Sequence, residues 1–110
     1  MDIKIEITNN SDETNISITG EIDVYTAPKL RESIFPLAQM PNPSIVVSLA
    51  NVSYMDSTGL GVFIGLLKMV RKNEGQLRLI ELSERLVRLF RITGLNDIID
   101  ISSKSKGGVQ

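Results

Sequence analysis

The chain contains no cysteine, no histidine and no tryptophan, and the first two absences bear directly on chemistry. Without cysteine there is no disulfide, no thiolate metal ligand and no thiol nucleophile, which fits a reducing, cytoplasmic setting. Without histidine the commonest general base and commonest metal ligand are missing, so no serine can be paired with an imidazole of its own chain. No apolar run approaches the ~20 residues of a membrane span, and Met1-Asp2-Ile3-Lys4 does not open a signal peptide, so a cytoplasmic protein without membrane attachment is expected. A formal net charge of −1 leaves no basic footprint for direct contact with nucleic acid. The 110 residues are 42% hydrophobic and 23% charged, enough apolar material for one domain around one core.

Periodicity supplies the elements. Ile3-Lys4-Ile5-Glu6-Ile7 alternates as a half-buried strand. Asn9 to Asp12 is turn chemistry and Ile16-Ser17-Ile18 resumes the alternation, so 3–20 reads as a hairpin continuing through Gly20-Glu21-Ile22-Asp23. Thr26 can cap a first helix with Pro28 in its first turn and Leu30, Ile34 and Leu37 inward; Pro36 predicts a kink or early end. Ser44 to Leu49, with its continuous apolar run, reads as a strand buried on both faces. A second helix from about Thr58 to Lys72 ends at Asn73-Glu74-Gly75, and Gln76 to Ile80 is the next strand. Ser83 caps a third helix with Leu86, Val87, Phe90 and Ile92 as its apolar side, closed by Gly94-Leu95. Asp97 to Ile101 forms a short last strand. Residues 1–101 then make one α/β domain with a mixed β-sheet, an N-terminal hairpin followed by alternating helices and strands, and 102–110 a polar tail.

The densest chemistry is the octet Tyr54-Met55-Asp56-Ser57-Thr58-Gly59-Leu60-Gly61, between a strand and a helix. A helix start offers unpaired N–H groups and partial positive charge, which suit an anion or a phosphorylated side chain. Gly59 and Gly61 leave its first turn bare, so a partner backbone can come close. The competing reading of Ser57 or Thr58 is an ordinary N-cap. Leu60, Phe63, Ile64, Leu67 and Val70 form a stripe for the sheet, while Val62, Leu66 and Met69 form a second stripe on the opposite side, which predicts a partner face. Glu21-Ile22-Asp23 also follows a strand, so Glu21, Asp23 and Asp56 should share one edge with Ser57.

Other readings of the same residues are weaker. Gly59-x-Gly61-x-x-x-Gly65 with Glu81 beyond it has the look of a dinucleotide fingerprint, but a polar spacer stands where that motif needs a tight turn. No P-loop is present, and the acids have no metal-ligand spacing. A Ser57 nucleophile with Asp56 or Lys72 as base would lack a group to orient that base. Arg85, Arg88 and Arg91 read as a solvated face, with an acidic partner as the lesser alternative.

Gly20-Glu21-Ile22-Asp23, the octet, and Leu86-x-x-Leu89-Phe90-x-x-Thr93-Gly94-Leu95 together resemble the STAS domain of bacterial anti-sigma factor antagonists, above all those of the general-stress, sigma-B pathway. That resemblance spans essentially the whole chain. It implies a non-enzymatic switch that binds an anti-sigma factor, itself a serine kinase, and so releases the sigma factor for transcription. It also implies phosphorylation by that kinase at Ser57, with Thr58 as second candidate, and reversal by a PP2C-type phosphatase. ATP and Mg²⁺ then belong to the kinase, and the antagonist needs no cofactor. The expected partner face comprises Glu21, Asp23, Asp56, Gly59, Gly61, Val62, Leu66 and Met69, with the phosphate stabilised by the helix N-terminus. The alternative is a STAS-type sensor module with a small ligand in the groove above the strand ends.

Overall fold

The computed structural model describes residues 2–104. Its elements are β1 (Ile3–Asn10), β2 (Glu13–Ile22), α1 (Ala27–Ala38), β3 (Ser44–Met55), α2 (Ser57–Lys72), β4 (Gln76–Leu82), α3 (Glu84–Ile92), a 3₁₀ turn at Leu95–Asp97, and β5 (Asp100–Ser103). They form one five-stranded sheet in the order β1-β2-β3-β4-β5, with β1 antiparallel to β2 and the remaining pairs parallel. Each crossover moves one strand onward in the same direction. Right-handed connections then put all three helices on one face. The mixed α/β architecture expected from the sequence is therefore present as two layers, with the second sheet face open.

That open face limits the double burial expected of β3 to its first residues, where Ile45, Val46 and Val47 are all buried. Ser48 and Ala50 are half-exposed, and Asn51 and Ser53 are exposed. β3 is also twice as long as its apolar run suggests. Its inward residues are Ile45, Val47 and Leu49, then Val52, then Met55. Each break in that two-residue period matches a register shift against β2, between Ser17 and Thr19 and again between Gly20 and Glu21. An extra residue in a bulge turns the following side chains to the other face. Two bulges thus carry the strand on to Met55 and deliver Asp56 beside Ile22.

The core joins Ile16, Ile18 and Ile22 of β2 with Leu30 and Ile34 of α1, Phe63 and Leu67 of α2, Leu79 of β4 and Phe90 of α3. Pro36 does not end α1, which continues two residues to Ala38 and closes with the Gln39 N–H on the Pro36 carbonyl. The expected last strand is displaced: Leu95–Asp97 form a 3₁₀ turn after Gly94 at φ 77°, and β5 extends to Ser103, past the expected boundary at Ile101. Residues 105–110 of the expected tail lie outside the described residues. Ile92, expected inward, is 75% exposed, because α3 buries Leu86 and Phe90 and turns its last residue to solvent.

Candidate functional site

The site lies where β2 and β3 end side by side. Ile22 pairs with Met55, and the Asp56 N–H donates to the Ile22 carbonyl at 3.3 Å, so segments more than thirty positions apart meet as the shared-edge argument required. The next contact explains Gly59. A Cβ there would stand 2.6 Å from Met55 Cγ, 2.9 Å from Ile22 Cγ2 and 3.2 Å from the Ile22 carbonyl oxygen. Gly59 is buried and lets the first turn of α2 close onto the strand ends. It is a packing residue, which corrects its assignment to a bare outer surface. Gly61 differs: a Cβ there would meet nothing within 4 Å.

The cap of α2 is Asp56. Its Oδ1 accepts from the Thr58 N–H at 2.9 Å and the Gly59 N–H at 3.3 Å, and its extended backbone is that of an N-cap. Ser57 is therefore the first helical residue, exposed, and takes no part in the cap; Thr58 is half-buried. This also narrows the idea of the helix end as a phosphate receptor. Two of its donors are already engaged by a carboxylate, leaving the dipole but not an empty cradle.

The other half of the site is built around Thr26. Its buried hydroxyl donates to the Glu21 carbonyl at 2.8 Å and accepts from the Asp23 N–H at 2.9 Å. Asp23 Oδ1 in turn accepts from the Tyr25 and Thr26 N–H groups at 2.9 and 3.0 Å. Thr26 thus locks the turn from below instead of making the expected side-chain cap of α1. The Thr26 N–H, followed by the Tyr25 N–H and the Thr26 hydroxyl, holds the Asp23 carboxyl below its ordinary value against an opposing effect of desolvation.

The locked turn presents two residues that sequence reasoning passed over, Val24 at 58% and Tyr25 at 82% exposed; Tyr54, the first residue of the octet, is 46% exposed at the end of β3. The available signal was Val24-Tyr25, two large apolar residues in a strand-to-helix turn. The predicted second stripe of α2 is not an outer face. Val62 and Leu66 are fully buried and Met69 half-buried. α1 lies along that side, with the Phe35 ring against Gly65. The helix layer itself supplies the cover that the second stripe predicts for a partner. What α2 leaves open is the ridge through Ser57, Gly61 and Lys68.

Among the described residues no three acidic side chains converge to hold a metal ion, and no helix is long and apolar enough to cross a membrane. Beyond β3, an open groove of about 670 Å³ runs between the strand ends and the start of α3, lined by Ser53, Ser83, Ser103 and residues of both charges, Glu84, Arg85 and Lys104.

A family model described as the STAS domain matches residues 4–107. The chain belongs to the STAS-domain family. Curated STAS relatives include the anti-sigma-B factor antagonist of Bacillus subtilis (strain 168), 57% identical over 110 residues with the whole of both chains covered. The protein of the same name from Staphylococcus epidermidis is 45% identical over 102 residues, 93% of this chain and 94% of that one. Among solved STAS structures, a putative anti-sigma factor antagonist of Thermotoga maritima superposes with a TM-score of 0.82 at 24% identity, covering 90% of this chain and 86% of its own. The unphosphorylated antagonist SpoIIAA gives 0.69 at 17% identity, covering 96% and 92%. At those identities the structures speak for the fold.

Proposed function

We propose that this STAS domain is an anti-sigma factor antagonist that binds an anti-sigma kinase while Ser57 is unmodified and loses it when Ser57 is phosphorylated. The observation that carries the proposal is the division of labour at the start of α2. Asp56 satisfies the helix end, so the Ser57 hydroxyl stands exposed and uncommitted beside the open ridge of Gly61. Full-length similarity to relatives named anti-sigma-B factor antagonists supports it.

The chemistry belongs to both proteins. The partner kinase brings ATP and Mg²⁺; the Ser57 oxygen bonds to the γ-phosphorus as its bond to ADP breaks, and ADP and the hydroxyl proton leave. A PP2C-type phosphatase hydrolyses the ester and restores the hydroxyl. The product carries about −1.5 to −2 charges next to the Asp56 carboxylate. Because Asp56 already occupies the Thr58 and Gly59 N–H groups, the phosphate projects outward from the ridge. A partner docked over Ser57, Gly61, Tyr54 and the Val24-Tyr25 turn would meet added bulk and a charge that it must desolvate. Glu21 and Asp23, at the end of β2 beside the end of β3, add negative charge to the same edge as Asp56. Gly59, Val62 and Leu66 shape this face from within, and Thr58, half-buried with its N–H in the cap, is the second acceptor.

The test is binding of the cognate anti-sigma kinase to wild type, Ser57→Ala and Ser57→Asp. Tight binding by the first two with loss in the third is the expected result; equal binding by all three would refute the gate at Ser57. Mass spectrometry after incubation with kinase and ATP assigns the acceptor between Ser57 and Thr58. The open groove favours one other reading, a sensor module for a small ligand held above the strand ends. Failure of wild type to bind any anti-sigma kinase, with saturable binding of a small anion, would favour it.

A further inference from the structure

β1 forms one edge of the sheet, and its sequence is its own complement. The N–H of Ile3 donates to the Asp2 carboxylate at 2.9 Å and its carbonyl accepts from Lys29 Nζ at 3.2 Å. Both groups therefore point away from β2. The β1–β2 register is unbroken from Ile3↔Gly20 to Asn10↔Glu13. By the alternation of an antiparallel pair, the N–H and C=O groups of Ile5 and Ile7 face outward as well. Lys4 and Glu6, on the alternate positions, are exposed on the open sheet face, and their ammonium and carboxylate lie 3.6 Å apart. Ile7 is 41% exposed on the other side.

We infer that this edge pairs with β1 of a second copy of the chain, antiparallel and centred on Ile5. In that register Ile5 meets Ile5 of the second copy, Ile3 meets Ile7, and each Lys4 stands opposite a Glu6. The outward groups of Ile3, Ile5 and Ile7 then bond across the two-fold axis, and the exposed Ile7 gains an apolar neighbour. Neighbouring registers are rejected by charge: centring on Glu6 sets two carboxylates face to face, and centring on Lys4 sets two ammonium groups together. Centring on Ile7 leaves Lys4 and Glu6 opposite Asn10 and Thr8, and centring on Ile3 leaves Glu6 and Ile7 unpaired. The register on Ile5 therefore matches the most groups, and being isologous it closes as a dimer and does not propagate. Asp2 and Lys29 must give up their bonds to Ile3, and the strand is short, so the association is weak and concentration-dependent. β2 separates this edge from Ser57, which leaves the kinase-facing side open in the dimer.

Sedimentation velocity on the full chain over a wide concentration range tests the inference. The wild-type weight-average mass should climb toward about twice the monomer value. Lys4→Glu alone and Glu6→Lys alone should each weaken association by roughly tenfold or more, since two attractive pairs become repulsive. An equimolar mixture of the two variants should associate again, as should the double variant with both charges exchanged. Circular dichroism checks that each variant is folded, and the double variant decides the matter if a single one is not. A wild type that stays monomeric throughout, or a dimer that ignores both reversals, would overturn the proposal.

Discussion

The starts of α2 and α3 are built from similar residues and do opposite things with them. At α3 the serine is the cap: Ser83 Oγ accepts from the Leu86 N–H at 3.2 Å, and the hydroxyl is committed to structure. At α2 the cap is one residue earlier, in Asp56, and Ser57 sits just inside the helix with its hydroxyl exposed. A serine at a helix start is ordinary; a serine preceded by a better-placed carboxylate is released from that duty. The same contrast recurs between the two glycines of α2. Gly59 faces the strand ends at contact distance and Gly61 faces open space.

The sharpest way to break the comparison is to add the same charge at both serines. Ser57→Asp should weaken binding of the anti-sigma kinase by about a hundredfold or more, through a desolvated like charge beside Asp56. Ser83→Asp should leave binding within about twofold, because aspartate is an equally good cap and the change is at the surface. Calorimetric titration of both variants checks the difference.

The glycine pair comes next. Gly59→Ala should destabilise the fold by about 1–3 kcal/mol, since its methyl group overlaps Met55 and Ile22. Gly61→Ala should raise stability by roughly 0.5–1 kcal/mol through helix propensity, while thickening the ridge and weakening partner binding. Urea midpoints separate the two effects on folding.

Removing the caps should cost about 1 kcal/mol at either helix, by Asp56→Ala or Ser83→Ala. Only the first should also slow phosphorylation, because Ser57 then has the nearest oxygen to the orphaned N–H groups and turns toward them. Timed mass spectrometry with the kinase reads this out.

The smallest effect is in pH. The Asp23 carboxyl is held below its ordinary value of 3.8 by the N–H groups of Thr26 and Tyr25. Its contribution to stability is therefore complete above about pH 4 and is lost as pH falls through the lowered folded value. Asp23→Asn should be less stable than wild type at pH 7, with the gap closing toward pH 3 in paired urea titrations.

Much of this was legible in the chain. The hairpin, the crossover helices, the Ser83 cap and the Gly94 helix stop follow from local periodicity and turn chemistry. The meeting of Glu21–Asp23 with Asp56-Ser57 followed from both segments ending parallel strands. The far half of β3 was hidden because two bulges break the alternation that marks a strand. The Val62–Leu66 stripe misled because an apolar stripe shows that something covers it and does not say what; α1 covers it. Thr26 does not make the cap expected of it, and Asp56 makes the one offered to Ser57 or Thr58, for a related reason. Any of several oxygens near a helix start satisfies the local rule, and backbone direction selects one.

The sequence by itself determined which residues can form strands, helices and turns, because those preferences act over a few neighbouring positions. It also placed a hydroxyl with an acid before it at a helix start. Only the tertiary structure decided which side of α2 remains open, which glycine is for packing, and which oxygen caps the helix. Those outcomes depend on where α1 and the end of β2 come to lie, and contacts between distant segments are set by the packing of the whole domain.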